Sequence, residues 1–145
     1  MMPAKSQPDF TGLWELSFQK SILLGPAPER TRMIIDHREP ILVQQIIVIL
    51  AGGSEQQMTF TYEIGAETTN SIGNAVAQTR AWWHETELVI ESRMNLPSRM
   101  AYFKDHWSLS ENGQTLTMAH REDDLAGQIS VLERQIPAKK TGLAR

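Results

Sequence analysis

Apolar and polar residues alternate with a period of two along most of the chain, and turn residues break the alternation at short intervals. Strands with one face inside and one outside give this pattern, and their close spacing points to an all-β barrel or sandwich. Ten segments read as strands: Thr11 to Phe18, Arg30 to His37, Ile41 to Leu50, Gln56 to Ile64, Glu67 to Ile72, Asn74 to Trp83, Glu87 to Met94, Met100 to Ser110, Gln114 to Glu122 and Gln128 to Ile136. No segment carries the 3.6-residue stripe of a helix. The links are short, among them Glu39-Pro40, Gly65-Ala66, His84-Glu85-Thr86 and Asn112-Gly113. Asn-Gly is a strong hairpin signal, because both central residues of a type I′ turn need positive φ. Strands joined by short links are antiparallel neighbours, so the expected fold is an all-β, antiparallel up-and-down barrel of eight to ten strands with little or no helix. It should occupy residues 10–136, with a flexible segment at 1–9 and a disordered tail at 137–145.

Hairpin registers divide the two faces, since alternate residues of a strand point to opposite sides. The Asn112-Gly113 turn pairs Leu109 with Leu116, Trp107 with Met118 and Asp105 with His120, on a mostly apolar and therefore inward face. The turn at His84 to Glu87 pairs Trp83 with Leu88, Ala81 with Ile90 and Thr79 with Ser92. Symmetric counting about Leu125 sets His120 opposite Ser130, Met118 opposite Leu132 and Leu116 opposite Arg134. Similar counting turns Met33, Ile35, Ile46, Val48, Met58, Phe60 and Tyr62 inward, with Gln44 near Tyr62. The interior thus mixes large apolar residues with Gln44, Tyr62, Thr79, Ser92, Asp105 and His120 and with small Ala77 and Ala81. A solid core avoids polar groups, each costing ~1–3 kcal/mol when unpaired, whereas a ligand cavity uses a few to orient its guest. The expectation is a cavity with Gln44, Tyr62, Ser92, Asp105 and His120 as polar handles and Met58, Phe60, Trp107 and Met118 as walls. The competing expectation is a filled barrel that serves as a protein-interaction module.

Composition narrows the partners. The 145 residues suit one domain, and a net charge of −3 gives no broad positive field for nucleic acid. With no Cys there is no thiol nucleophile, disulfide or Cys-type metal site. The apolar run from Ile41 to Ala51 is too short to span a bilayer, for which ~20 residues are needed. No run of signal-peptide length follows the start, so the chain reads as cytoplasmic unless an export segment has been removed. Ile41 to Leu50 is apolar on both faces, so Ile41, Val43, Ile47 and Ile49 need cover. The expected cover is a second copy, giving a homodimer through this strand; the N-terminal segment or the Ile22-Leu23-Leu24 loop is the alternative.

Asp105 and His120, inward and cross-strand, form the one pair suited to acid–base work, as in an isomerase or hydrolase, although no nucleophile stands beside them beyond the candidates Ser92 and Ser130. Ligand hydrogen bonding and a buried structural pair are the other roles open to them. His37, His84 and His106 fall at a loop edge, a turn and the opposite face, without metal-ligand spacing, so no metal and no cofactor is expected.

Phe10-Thr11-Gly12-Leu13-Trp14-Glu15-Leu16 resembles the first strand of the calycin superfamily, which contains the lipocalins and the fatty-acid-binding proteins. Pro40, Leu88-Val89-Ile90-Glu91-Ser92, the run Trp107 to Thr117 and Val131-Leu132-Glu133-Arg134 resemble a family of small bacterial lipocalin-like proteins of largely uncharacterised function, over residues 9–136. The resemblance implies a lipocalin-like barrel carrying or sensing a small apolar or amphipathic molecule. It also implies that Trp14 closes the barrel floor with Arg134 across its ring, a structural pair. Two features depart from it. The Arg and Tyr that grip a carboxylate on the last strand of fatty-acid-binding proteins are matched by Ser130 and Leu132, so a fatty acid is not the default ligand. The two-helix lid is replaced by Gln19 to Glu29, which contains Pro26 and Pro28.

Overall fold

The computed structural model describes residues 7–123, 125 and 127–135. Ten strands are present: β1 (Gly12–Leu16), β2 (Arg30–Arg38), β3 (Ile41–Ile49), β4 (Glu55–Glu63), β5 (Glu67–Ile72), β6 (Ala75–His84), β7 (Glu87–Asn95), β8 (Met100–Leu109), β9 (Thr115–Glu122) and β10 (Gln128–Arg134). They form one sheet in the order β4-β3-β2-β1-β10-β9-β8-β7-β6-β5, an up-and-down barrel that closes where β1 pairs antiparallel with β10. Among the described residues none is helical, so no helix is long and apolar enough to cross a membrane. The expected leading segment 1–9 lies outside the described residues up to residue 6, and the expected tail 137–145 lies wholly outside them.

Period-two patterning explains the strands one by one. In β2, Thr31, Met33, Ile35 and His37 are buried, while Arg30, Ile34, Asp36 and Arg38 are exposed. Leu42, Leu88, Leu116 and Leu132, from four different strands, are fully buried; each such side chain contributes ~1.5–3 kcal/mol by leaving water. The β8–β9 and β6–β7 registers are those the turns predict: Asp105 lies opposite His120, Trp107 opposite Met118, Ala81 opposite Ile90 and Thr79 opposite Ser92.

Two expectations are corrected. The β9–β10 register is offset by two residues, with His120 opposite Gln128, Met118 opposite Ser130 and Leu116 opposite Leu132. Asp123 takes a left-handed backbone (φ 49°) and Leu125 N–H bonds Glu122 C=O at 2.9 Å, so the chain reverses earlier than symmetric counting assumes. An offset of two keeps every side chain on its face, and it frees Arg134 to run past Leu116 and reach Trp14. The second correction is at β4 and β5, which do not form the ladder that their short link suggests. Instead, Asn70 of β5 accepts a bond from Thr61 N–H (2.8 Å) and donates one to Thr61 C=O (3.0 Å), so one buried amide side chain stands in for a ladder step. Ile64 and Gly65 turn away to bond Pro40 C=O and Ala81 C=O.

The floor is aromatic. Trp14 is fully buried and its indole N–H donates to Phe10 C=O at 2.9 Å. The Arg134 guanidinium lies 4.4 Å from the indole centroid and donates to Thr11 C=O and Gly113 C=O. Gly12 permits this: a Cβ there would stand 2.5 Å from Arg134 Nη1. Phe10, His37 and Trp83 cluster with ring centroids 5.7–6.0 Å apart, and Phe10 meets Trp107 edge-on. His37, at the loop-edge end of β2, is buried there, accepting Phe10 N–H at Nδ1 and donating from Nε2 to Glu39.

The 17–29 loop does not lie across β3. Ile22 forms a two-way bridge with Ile129, and Leu24 N–H bonds the Gln128 side chain, so the loop extends the barrel wall along the part of β10 that short β1 leaves uncovered. Only Leu23 of the triplet turns toward the core.

Candidate functional site

Above the aromatic floor the barrel is hollow. A cavity of about 320 Å³ is bounded by residues of β2 to β10, so the barrel is not packed solid. The nine residues that the alternation assigns to a cavity, Gln44, Met58, Phe60, Tyr62, Ser92, Asp105, Trp107, Met118 and His120, all line it. Met58 is a rim residue rather than a buried wall, with 37% of its surface exposed. Met33, Ile46, Asn70, Ile72, Ala77, Thr79, Met94, Phe103, Gln128 and Ser130 complete the lining. Met94 and Phe103 lie two residues from Ser92 and Asp105, so the same alternation extended by one step would have found them. Gln128 lies two residues from Ser130 on β10, so the same alternation places it on the inner face too. A second hollow of about 260 Å³ lies under Leu23, Leu24, Pro26 and Pro28 and shares Met33, Ile46, Gln128 and Ser130 with the first. The proline-containing loop thus covers a side hollow that adjoins the main cavity.

The polar groups on the wall are paired. Tyr62 O–H donates to Gln44 Oε1 at 3.1 Å, and Gln44 Nε2 points a donor at Met33 Sδ at 3.4 Å. The Thr79 and Ser92 hydroxyls share one bond of 3.2 Å. His120 Nδ1 and Asp105 Oδ1 are 2.5 Å apart, and Phe103 stacks on the imidazole at 5.6 Å. The bond to Asp105 raises the His120 pKa above the ordinary histidine value against the opposing effect of burial, and the Asp105 and Glu122 charges add to it. Burial, helped by the Asp105 charge, pushes the Tyr62 phenol far above its usual range, so it is a neutral donor. Trp107 is buried with its indole N–H unbonded, edge-on to Phe10 and Tyr62.

This arrangement can orient a guest and can hold a proton at His120. It supplies no activated hydroxyl: Ser92 is engaged by Thr79 and Ser130 by Gln128, and His120 bonds no hydroxyl among the described residues. The remaining lining is thioether, aromatic and aliphatic, which suits an apolar guest of irregular shape.

No protein-family model matches the chain, and no curated protein matches its sequence. Solved structures match its fold. A secretory abundant heat soluble protein from Ramazzottius varieornatus superposes with a TM-score of 0.66 at 14% identity, covering 90% of this chain and 98% of the other. Apo lipid binding protein 8 from Caenorhabditis elegans gives 0.65 at 9% identity, covering 87% and 95%. The fatty acid binding protein of Schistosoma mansoni in complex with arachidonic acid gives 0.62 at 11% identity, covering 88% and 96%. The chain therefore has the calycin-type barrel fold of the fatty-acid-binding proteins. At these identities the likeness extends to the fold alone.

Proposed function

We propose that this protein binds a small, largely apolar or amphipathic molecule inside its barrel, as a carrier or sensor. The observation that carries this reading is the cavity itself: about 320 Å³ of unfilled interior with mainly apolar walls, at the lower end of the ~300–1,000 Å³ typical of ligand pockets. Burial supplies the affinity, at ~25 cal/mol per Å² of apolar surface. Gln44, Tyr62, Ser92, Asp105 and His120 orient the guest, and Phe60, Trp107 and Met118 form the walls. The fold neighbours support it, since they include proteins named for lipid and fatty-acid binding. The test is uptake of the uncharged fluorophore N-phenyl-1-naphthylamine. The native protein is expected to enhance its emission with saturable, one-site behaviour. Ala77→Phe, which places a ring in the cavity from a buried position on β6, is expected to abolish uptake while keeping the β-sheet circular dichroism signal. Uptake unchanged in Ala77→Phe would sink the reading.

The outward face of β3 fits a second copy of the chain. Ile41, Val43, Ile47 and Ile49, with Gln45 among them, form a row flanked by Arg30, Arg32, Asp36 and Arg38 of β2 on one side and Glu55 and Glu63 of β4 on the other, with Arg30 also paired to Glu15 and Arg38 to Asp36. About a two-fold axis along β3, Arg30 and Arg38 of one copy would face Glu55 and Glu63 of the other, an isologous arrangement.

A further inference from the structure

We infer that the cavity selects uncharged amphiphiles whose head group donates and accepts hydrogen bonds, such as an alcohol or a primary amide, over carboxylates of the same chain length. The inference rests on the binding role proposed above and names the class of ligand. It follows from the charges on the wall. Among the described residues that line the cavity there is no Lys and no Arg. Only Asp105 and His120 carry charge near neutral pH, and they are bonded to each other. The wall is therefore neutral with His120 protonated and negative with it neutral, and in neither state does it hold a cation free for a carboxylate. A carboxylate entering this space leaves water and meets Asp105 without a counter-charge of its own.

The hydrogen bonds left unspent point the same way. Thr79 and Ser92 share one bond between two hydroxyls, so one hydroxyl proton remains to be donated. Gln44 uses its carbonyl for Tyr62 and one amide hydrogen for Met33, leaving a second amide hydrogen. Asp105 engages His120 through Oδ1, leaving Oδ2 as an acceptor. Asn70 spends its carbonyl and one amide hydrogen on Thr61 and likewise keeps a second amide hydrogen. These open donors, with the unbonded Trp107 indole N–H, accompany one strong acceptor and match a hydroxyl or amide, each of which gives and takes. The volume sets the length: about 320 Å³ equals roughly ten water volumes at ~30 Å³ each, enough for a chain of modest length. The Schistosoma mansoni barrel complexed with arachidonic acid, a carboxylate, shows that the fold does not impose this preference.

The experiment displaces N-phenyl-1-naphthylamine from the full chain at pH 7.4 with 1-decanol, decanoate and decylammonium. Decanol is expected to compete at concentrations at least tenfold lower than decanoate. Asp105→Asn, checked for folding by circular dichroism and for fluorophore uptake, is expected to narrow that gap at least threefold. Decanoate equal to or better than decanol, decylammonium better than both, or a gap unmoved by Asp105→Asn would each overturn the assignment while leaving the binding role intact. Failure of the native protein to take up the fluorophore or any of the three would overturn the binding role itself.

Discussion

Replacing Arg134 by Met tests the barrel floor most directly, because three separate contacts converge on one guanidinium. It lies 4.4 Å from the Trp14 centroid, and it donates to Thr11 C=O at 2.6 Å and to Gly113 C=O at 3.0 Å. A cation over an indole contributes ~0.5–2 kcal/mol. The hydrogen bonds add ~1 kcal/mol each at a half-buried site, while the Met chain keeps part of the packing. The expected loss is ~2–4 kcal/mol, a large share of the ~5–15 kcal/mol that holds a typical domain folded. In thermal terms this is a drop of roughly 5–15 °C at ~2–4 °C per kcal/mol. Arg134→Lys keeps the charge but lacks the planar fork that spans both carbonyls, so it should fall between. Lys20→Met supplies the control: its ion pair with Glu133 is exposed on both sides, and such pairs contribute well under ~1 kcal/mol. Gly12→Ala attacks the same contact from the other side by driving a methyl into Nη1. The part of its cost that comes from the clash with Nη1 should vanish in the Arg134→Met background, while the strain of a side chain at φ 154° remains. The assay is urea unfolding followed by tryptophan fluorescence. An Arg134→Met protein within ~0.5 kcal/mol of native, or additive costs for Gly12→Ala and Arg134→Met, refutes the reasoning.

Three further outcomes are expected. Asn70→Ala removes both partners of the Thr61 backbone at the β4–β5 seam, so it should cost ~1–3 kcal/mol and speed Thr61 amide exchange at least ~10-fold; unchanged exchange there means that Asn70 does not hold the seam. His120 has a folded pKa raised by its bond to Asp105, so its contribution to stability is complete below the unfolded value of ~6.5 and is lost as pH rises through the folded value. NMR titration should place the ring above ~6.5, Asp105→Asn should bring it down, and the stability difference between native protein and His120→Gln should shrink as pH rises; a ring at or below ~6.5 in the native protein contradicts the pairing. Size-exclusion chromatography with light scattering at micromolar concentration should give a dimer that Ile47→Lys converts to a monomer, and a native protein that runs as a monomer removes the β3 interface.

How much of this was legible in the sequence depended on what fixed each turn. Gly113 takes positive φ (72°), the conformation Asn-Gly announces, so the β8–β9 register and with it the Asp105–His120 pair could be derived. The β6–β7 register followed equally from a tight turn, where Glu85 adopts the left-handed region. The loop after β9 has no such marker. Its early reversal at Asp123 moved the β10 register by two, which alternation cannot detect because faces repeat every two residues. The seam between β4 and β5 was hidden for a different reason: Gly65-Ala66 reads as an ordinary hairpin link, and only the three-dimensional path shows Ile64 and Gly65 bonding Pro40 and Ala81 instead. Asn70 looked like any strand polar residue because its role depends on a neighbour that fails to pair. Local turn chemistry was thus readable, and long-range closure was not.

The interior separates what the fold demands from what the proposed binding role demands. A barrel of this kind needs apolar residues at alternate positions, a requirement loose enough to be met at 9–14% identity by the proteins that share its fold. It does not need Gln44, Tyr62, Thr79, Ser92, Asp105 and His120 to face inward, since leucine or valine would fill those positions at no desolvation cost. Each of the six is instead satisfied by another of the six, as Gln44 with Tyr62, Thr79 with Ser92 and Asp105 with His120. Pairing of this kind lets these six groups stand folded without a guest, and it leaves the buried Trp107 indole N–H as the lining donor without a partner among the described residues. It also limits what a guest can gain from polar contacts to the few donors and acceptors left over. Affinity in such a cavity rises with the apolar surface that the guest buries, and discrimination comes from the head groups that three closed pairs refuse.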